Sequence, residues 1–156
     1  MADAGSGPVP LARLLAMSFQ QLIDDLHVRL AVREWTDVRP AFGFVLLALR
    51  GGSVSMRDLT VVLGTTKQAV SQLVDSLVAA GYADRCADPG DARAKRVELT
   101  GRGRDLLAAV EQIYAELEAG WSSVLGEGHL DALRGDLETV VRAANGGVLP
   151  SIRPIG

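Results

Sequence analysis

The tetrad Asp88-Pro89-Gly90-Asp91 makes the chain reverse direction. Proline presets the backbone for the first corner, glycine takes the second without a steric penalty, and aspartate suits either flank. Tyr82 to Ala87 leads in and Arg96 to Leu99 leads out. The segment therefore predicts a β-hairpin. Its tip and return strand carry Arg93, Lys95 and Arg96. Thr100 follows at once as the start of a helix.

Helical periodicity governs most of the remainder. Leu11, Leu15, Leu22, Leu26 and Leu30 recur near the helical period, with Phe19 and Ile23 alongside, and predict a helix from Leu11 to about Arg33. A second helix is expected from Pro40, a residue suited to a first turn, to Arg50, where Gly51-Gly52 stops it. Val54 is expected to add a very short strand to the hairpin. Ser55-Met56-Arg57-Asp58 has the form of a capping box, and its short helix ends at Gly64. Thr65-Thr66-Lys67-Gln68 has the same form, with Val70, Leu73, Val74, Leu77 and Val78 inward and Gly81 as the stop. A long helix from Thr100 to about Leu125 carries Leu106, Val110, Tyr114, Leu117 and Trp121 on one stripe. A last helix from Glu127 to Ala144 turns Leu130, Leu133, Leu137, Val140 and Val141 inward.

Two capped helices separated by a glycine turn match helix-turn-helix spacing. A cationic hairpin directly after them is a wing, which reaches DNA backbone and minor groove while the second helix occupies the major groove. The charge distribution agrees. The net charge of −3 over 156 residues hides a basic middle. Residues 1–49 carry −1, residues 50–104 carry +3 and residues 105–156 carry −5. Global charge therefore says little about the binding face. Aromatic residues are only 4%, which excludes base stacking as the main recognition mode.

These motifs resemble the MarR family of bacterial transcription regulators. The family's wing pattern, an Asp-x-Arg followed by an aliphatic-x-Leu-Thr-x-x-Gly, stands here as Asp91-Ala92-Arg93 and Val97-Glu98-Leu99-Thr100-Gly101-Arg102-Gly103. Arg85 and Asp88-Pro89 fit its usual lead-in. The resemblance runs over nearly the whole chain. It implies a mainly α fold with a small β wing, a winged helix-turn-helix joined to an α-helical dimerisation domain. The expected organisation is a flexible tail over 1–10, N-terminal helices for dimerisation and support over 11–50, and the DNA-binding lobe over 51–100. C-terminal dimerisation helices over 101–145 and an extension over 146–156 follow. A homodimer on a near-palindromic double-stranded operator is implied, repressing by occupancy and relieved by a small-molecule effector, in the bacterial cytoplasm at the nucleoid.

On the second helix of the motif the inward residues leave Lys67, Gln68, Ser71 and Gln72 outward near the N-terminus, with Thr65 and Thr66 at its start. Gln pairs bidentately with adenine, Ser is tolerant, and Lys reaches guanine or phosphate. Gln68 has a competing role: folded back onto Thr65 in the box, it cannot read a base. On the wing, the resemblance makes Arg93 the minor-groove arginine and Asp91 the acid that orients its guanidinium. Lys95 and Arg96 are expected to contact phosphates, though strand alternation sends them to opposite sides. Arg57 is a further backbone candidate.

Other chemistry finds little support. The chain has no glycine-rich phosphate loop, nucleophile elbow or His-Glu-x-x-His, so no enzyme activity and no cofactor are expected. His27 and His129 lack paired cysteines, and no metal site is expected. Cys86, the single cysteine, fits a reducing cytosol and leaves open a redox-sensing alternative on the wing strand. A winged-helix protein-interaction module is the other alternative; it calls for a non-basic wing. No apolar run is long enough to span a bilayer, no secretory signal is visible, and no membrane partner is expected. Arg33, Trp35, Phe42 and Phe44 fall where the family places an effector pocket, but apolar residues there are more often core.

Overall fold

Each helix of the helix-turn-helix begins at a hydroxyl and ends near a glycine. In the computed structural model, which describes residues 7–150, α3 (Met56–Leu63) starts at Ser55, whose side chain accepts the Asp58 N–H at 3.0 Å. It stops at Gly64, whose left-handed φ of 61° a side chain would resist. Next, α4 (Lys67–Ala79) starts at Thr66, which accepts the Ala69 N–H at 3.1 Å. Before them lie α1 (Leu11–Val32), α2 (Phe42–Ala48) and β1 (Val54–Ser55). After them come β2 (Ala83–Asp88), β3 (Asp91–Leu99), α5 (Gly101–Leu125) and α6 (His129–Ala144). The fold is mainly α with one small antiparallel sheet of order β1-β3-β2. Parts of the predicted tail and extension, residues 1–6 and 151–156, lie outside the described residues.

One continuous core joins all of these elements except α6. Leu26 and Leu30 of α1 meet Phe42, Val45 and Leu46 of α2, Leu59 and Leu63 of α3, and Val70, Val74 and Leu77 of α4. Leu49, Tyr82 and Ala83, with Val97 and Leu99 of β3 and Leu106, Val110, Ile113 and Leu117 of α5, complete it. The α5 stripe thus runs through Ile113, with Tyr114 and Trp121 only half-buried at its edge. Leu73 and Val78 of α4 are also only half-buried.

Four local expectations need correction. The second helix is shorter than Pro40–Arg50, because Pro40 and Ala41 form a preceding turn and α2 ends at Ala48. The cap of α4 is Thr66, one residue later than the predicted box. Thr66 holds the extended backbone that a cap requires, which leaves Thr65 to complete the turn after Gly64. Gln68 then stands second in the helix and has no return bond to make. The return strand of the hairpin begins at Asp91, leaving only Pro89-Gly90 as the turn. The fourth concerns α6, none of whose residues is buried; Val140 and Val141, expected inward, are exposed.

At the start of α5 the chain folds back onto the wing. Thr100 accepts the Gly103 N–H at 3.0 Å and donates its hydroxyl to the Gly81 carbonyl at 2.6 Å. Its own N–H donates to the Tyr82 carbonyl at 3.1 Å. Gly103 packs so tightly here that a Cβ would lie 1.9 Å from the Tyr82 carbonyl oxygen. The obstacle is backbone, so only a shift of α5 relieves it. Gly103→Ala is expected to cost at least about 3 kcal/mol, the upper end for overpacking. Gly101→Ala, two residues earlier with nothing within 4 Å, should stay within about 0.5 kcal/mol. Urea unfolding of the two variants measures the contrast.

Candidate nucleic-acid interface

The outward face of α4 follows from its buried face. With Val70, Val74 and Leu77 fully buried, Lys67, Gln68 and Gln72 are exposed and Ser71 half-exposed. Thr65 is exposed in the turn, and the Thr66 hydroxyl is occupied as the cap. Between α3, α4 and the wing lies an open groove of about 600 Å³. From α3 come Arg57, Met56, Thr60 and Val61, with Ser55 at its cap; Lys67 and Ser71 come from α4; Arg85, Arg93, Ala94 and Lys95 come from the wing. The groove wall thus holds five cations and, among the described residues, no carboxylate. Of these five, Arg57, Lys67, Arg93 and Lys95 make no ion pair among the described residues, whereas the other, Arg85, pairs with Asp75 at 2.6 Å.

Register explains who lines the groove. β2 and β3 pair Arg85 with Val97, Cys86 with Arg96 and Ala87 with Lys95. Directly opposed residues share a face, and alternate residues along a strand share it too. Val97 is fully buried, so Arg85 and Lys95 lie on the helix-facing side with it. Cys86 and Arg96 take the other side. Beyond Ala87 the register jumps to Asp88 opposite Asp91, and residues 92–94 bulge from β3 with Arg93 at their centre. Bulges re-aim side chains and increase local twist.

Residues 44–94 match the model of the MarR family. The reduced form of MarR from E. coli superposes with a TM-score of 0.75 at 26% identity, over 87% of this chain and 99% of that one. A cysteine-to-serine variant of the same protein complexed with operator DNA gives a TM-score of 0.69 at 26% identity, over 85% and 94%. The chain thus resembles the MarR family in its winged lobe and in its fold. It is also 29% identical over 129 residues to the exopolysaccharide II synthesis transcriptional activator ExpG of Rhizobium meliloti (strain 1021), covering 83% of this chain and 63% of that protein. A stretch of 105 residues is 34% identical to tRNA(Ile)-lysidine synthase of Rhodococcus opacus (strain B4), 61% of this chain but 32% of that one. The chain thus spans 63% and 32% of the lengths of these two curated relatives.

Two wing residues do something other than expected. Asp91 Oδ1 accepts the backbone N–H of Arg93 at 2.9 Å. This aspartate turn fixes the main chain under Arg93; among the described residues Asp91 makes no ion pair with its guanidinium. Arg96 is not a free phosphate contact. Its Nε donates to Ser53 Oγ at 3.0 Å, Nη2 to the Ser53 carbonyl at 2.7 Å and Nη1 to Asp88 Oδ2 at 3.3 Å. It ties the wing to the loop before β1. Asp88 is held below the usual carboxylate range by the Gly90 N–H and by Arg96.

The groove therefore gathers Arg57, Lys67, Ser71, Arg93 and Lys95 from the predicted set. Thr65, Thr66, Gln68, Gln72, Asp91 and Arg96 lie outside its wall. Arg85 is the participant that the sequence missed, because its face is set by the pairing with Val97. Elsewhere, Phe42 is core, Trp35 packs on Tyr82 with ring centroids 6.0 Å apart, and Arg33 bonds Glu116 at 2.6 Å. No cluster of potential metal ligands occurs among the described residues, and no helix there is long and apolar enough to cross a membrane. The two wing arginines should separate in stability. Arg96→Ala is expected to lose about 1–2 kcal/mol as three charge-assisted bonds disappear. Arg93→Ala, at an exposed bulge, should stay within about 0.5 kcal/mol. Denaturant melts of both variants measure the difference.

Proposed function

We propose that this chain is a homodimeric, sequence-specific regulator that binds double-stranded DNA. The observation that carries the reading is the acid-free groove with its five cations, on a chain whose net charge is −3. A phosphate backbone seated in that groove leaves α4 over the major groove on one side. The Arg93 bulge then meets the adjacent minor groove on the other, where narrow A·T segments concentrate negative potential. Gln68, Ser71 and Gln72 read bases, while Lys67, Arg57 and Lys95 hold phosphates. With its cap at Thr66, Gln68 is as open to this role as Gln72.

Two copies, joined through the terminal helices, present two such faces to a near-palindromic operator. The uncovered apolar residues of α1 and α6 support this assembly. Leu11 is 67% exposed and Val140 67% exposed, with Leu15, Met17 and Phe19 also open. Repression by promoter occupancy, relieved by a small-molecule effector, is the regulatory reading, at the nucleoid of a bacterial cytoplasm. The wing's basic character favours it over a protein-interaction module. A redox role rests on Cys86 alone, half-buried on the face away from the groove. The family setting and the phosphate-binding character of the groove favour a binding protein over an enzyme.

The experiment is selection of duplexes from a random 30-bp pool, followed by anisotropy titration across salt concentrations. If each subunit neutralises three or four phosphates, the log–log slope should be about −5 to −7 for the dimer. A slope near zero removes the reading. Gln72→Ala should change base preference at one position per half-site, by about 1–3 kcal/mol, whereas Lys95→Ala should weaken all sequences alike. Equal losses for Gln72→Ala on selected and random duplexes would end its readout role.

Asp91 allows a sharper test of the wing. Because it holds a backbone N–H, Asp91→Asn keeps the accepting oxygen and removes a charge that repels phosphate. It should bind DNA at least as tightly as the wild type. Asp91→Ala loses the turn and should bind less tightly. Equal weakening by both substitutions would show that the charge, acting on the Arg93 guanidinium, is what matters.

A further inference from the structure

We propose that Arg85 grips a DNA phosphate in the groove, and that Asp75 on the recognition helix is the positioning residue that holds it there. This inference rests on the DNA-binding reading above and adds two residues to its machinery. Arg85 leaves β2 and crosses to α4. Its Nη2 reaches Asp75 Oδ1 at 2.6 Å and lies 3.4 Å from the Ser71 carbonyl. The same side chain lines the groove together with Lys67 and Lys95. Among the described residues it is the only one of the five groove cations bonded from the wing to α4.

Hydrogen-bond capacity favours a shared role. A guanidinium offers five N–H donors in a planar fork. Both contacts among the described residues use Nη2, which leaves Nε and Nη1 without a bonded partner there. A phosphate oxygen in the groove supplies an acceptor of the right charge and geometry. Stability does not account for the pair well. Asp75 is 62% exposed and Arg85 32% exposed, and ion pairs of that exposure contribute little to folding. A free carboxylate on a DNA-facing helix repels phosphates. Fixing Arg85 in the groove offsets that repulsion and gives the acid a purpose. The pair also fixes the spacing between the α4 N-terminal turns, which face bases, and the wing strand that carries Arg93 onward.

The test uses the full-length dimer, the selected 30-bp duplex and an unselected duplex, with thermal melts as the fold control. Arg85→Gln should weaken binding to both duplexes by roughly tenfold, as expected for a lost charge-assisted bond. Its salt slope should become shallower by about 1.8, one phosphate per subunit. Asp75→Asn should weaken binding by roughly threefold, within the range of an exposed ion pair, with its melting temperature unchanged. The double variant should be no weaker than Arg85→Gln, because Asp75 acts only through Arg85. Arg85→Lys should keep the wild-type slope with partial loss of affinity, since lysine retains charge but not the fork. Asp75→Asn binding as tightly as the wild type or tighter overturns the proposal, as does an unchanged slope for Arg85→Gln. Failure of the wild type itself to bind any duplex overturns the DNA-binding reading, and this inference with it.

Discussion

The contact between Gly103 and the Tyr82 carbonyl is the joint on which the architecture turns. At this point α4 has just ended, the wing begins and closes, and α5 departs for the rest of the molecule. Thr100 serves all three directions, with a donor to Gly81, an acceptor for Gly103 and a backbone bond to Tyr82. The family pattern Leu-Thr-x-x-Gly thereby has a physical content. The threonine caps the helix and closes the hairpin, and the glycine permits backbone-to-backbone approach that any Cβ would block. Tyr82 extends the joint inward. Its buried phenol donates to Asp37, and Arg102 stacks over both Tyr82 and Trp35 at 4.9 and 5.3 Å. Burial and the Asp37 carboxylate push the phenol up to about 12, so it stays a neutral donor at any ordinary pH.

Charge is partitioned by the same architecture. Arg29 and Arg33 grip Glu116 across α1 and α5, Arg50 reaches Glu111, and Arg134 and Arg142 pair with acids of α5 and α6. Arg96 and Arg102 are tied as well. The cations with no carboxylate partner among the described residues include four of the groove. A chain of net negative charge thus places Arg57, Lys67, Arg93 and Lys95 together on one concave surface, while Arg13, Arg39 and Arg104, also without a carboxylate partner among the described residues, lie outside it. Local field, not net charge, governs the approach of a polyanion.

The order of elements, the glycine stops of α3 and α4 and the wing were legible because each rests on local chemistry. Hydroxyl caps, the Asp-Pro-Gly-Asp turn and helical periodicity act over a few residues. What was not legible depended on contacts between distant residues. Thr65 and Thr66 are chemically equivalent candidates for one cap, and only the geometry of the preceding turn decides between them. Strand parity separated Lys95 from Arg96, but not which of them faces the helices. That depends on the pairing of Val97 with Arg85 and Val54, a register no local signal encodes. Arg85 was overlooked for the same reason. Asp91 was assigned to the wrong atom of the right residue, because motif spacing identifies neighbours without distinguishing backbone from side chain.

The wing also shows how a mobile-looking element is made definite. A two-stranded hairpin is marginal by itself in water. Here β1 makes it three-stranded, and Arg96 bonds Ser53 just before that added strand. The anchored part carries no free cation on its outer face. Arg93 instead projects from a three-residue bulge beyond the last regular pair, with its main chain pinned by Asp91. Rigidity at the base and a re-aimed tip are separate devices built from adjacent residues. A guanidinium loses less entropy on binding when its backbone is already fixed. The division of labour between Arg96, which is satisfied within the protein, and Arg93, which has no carboxylate partner among the described residues, rests on these two devices.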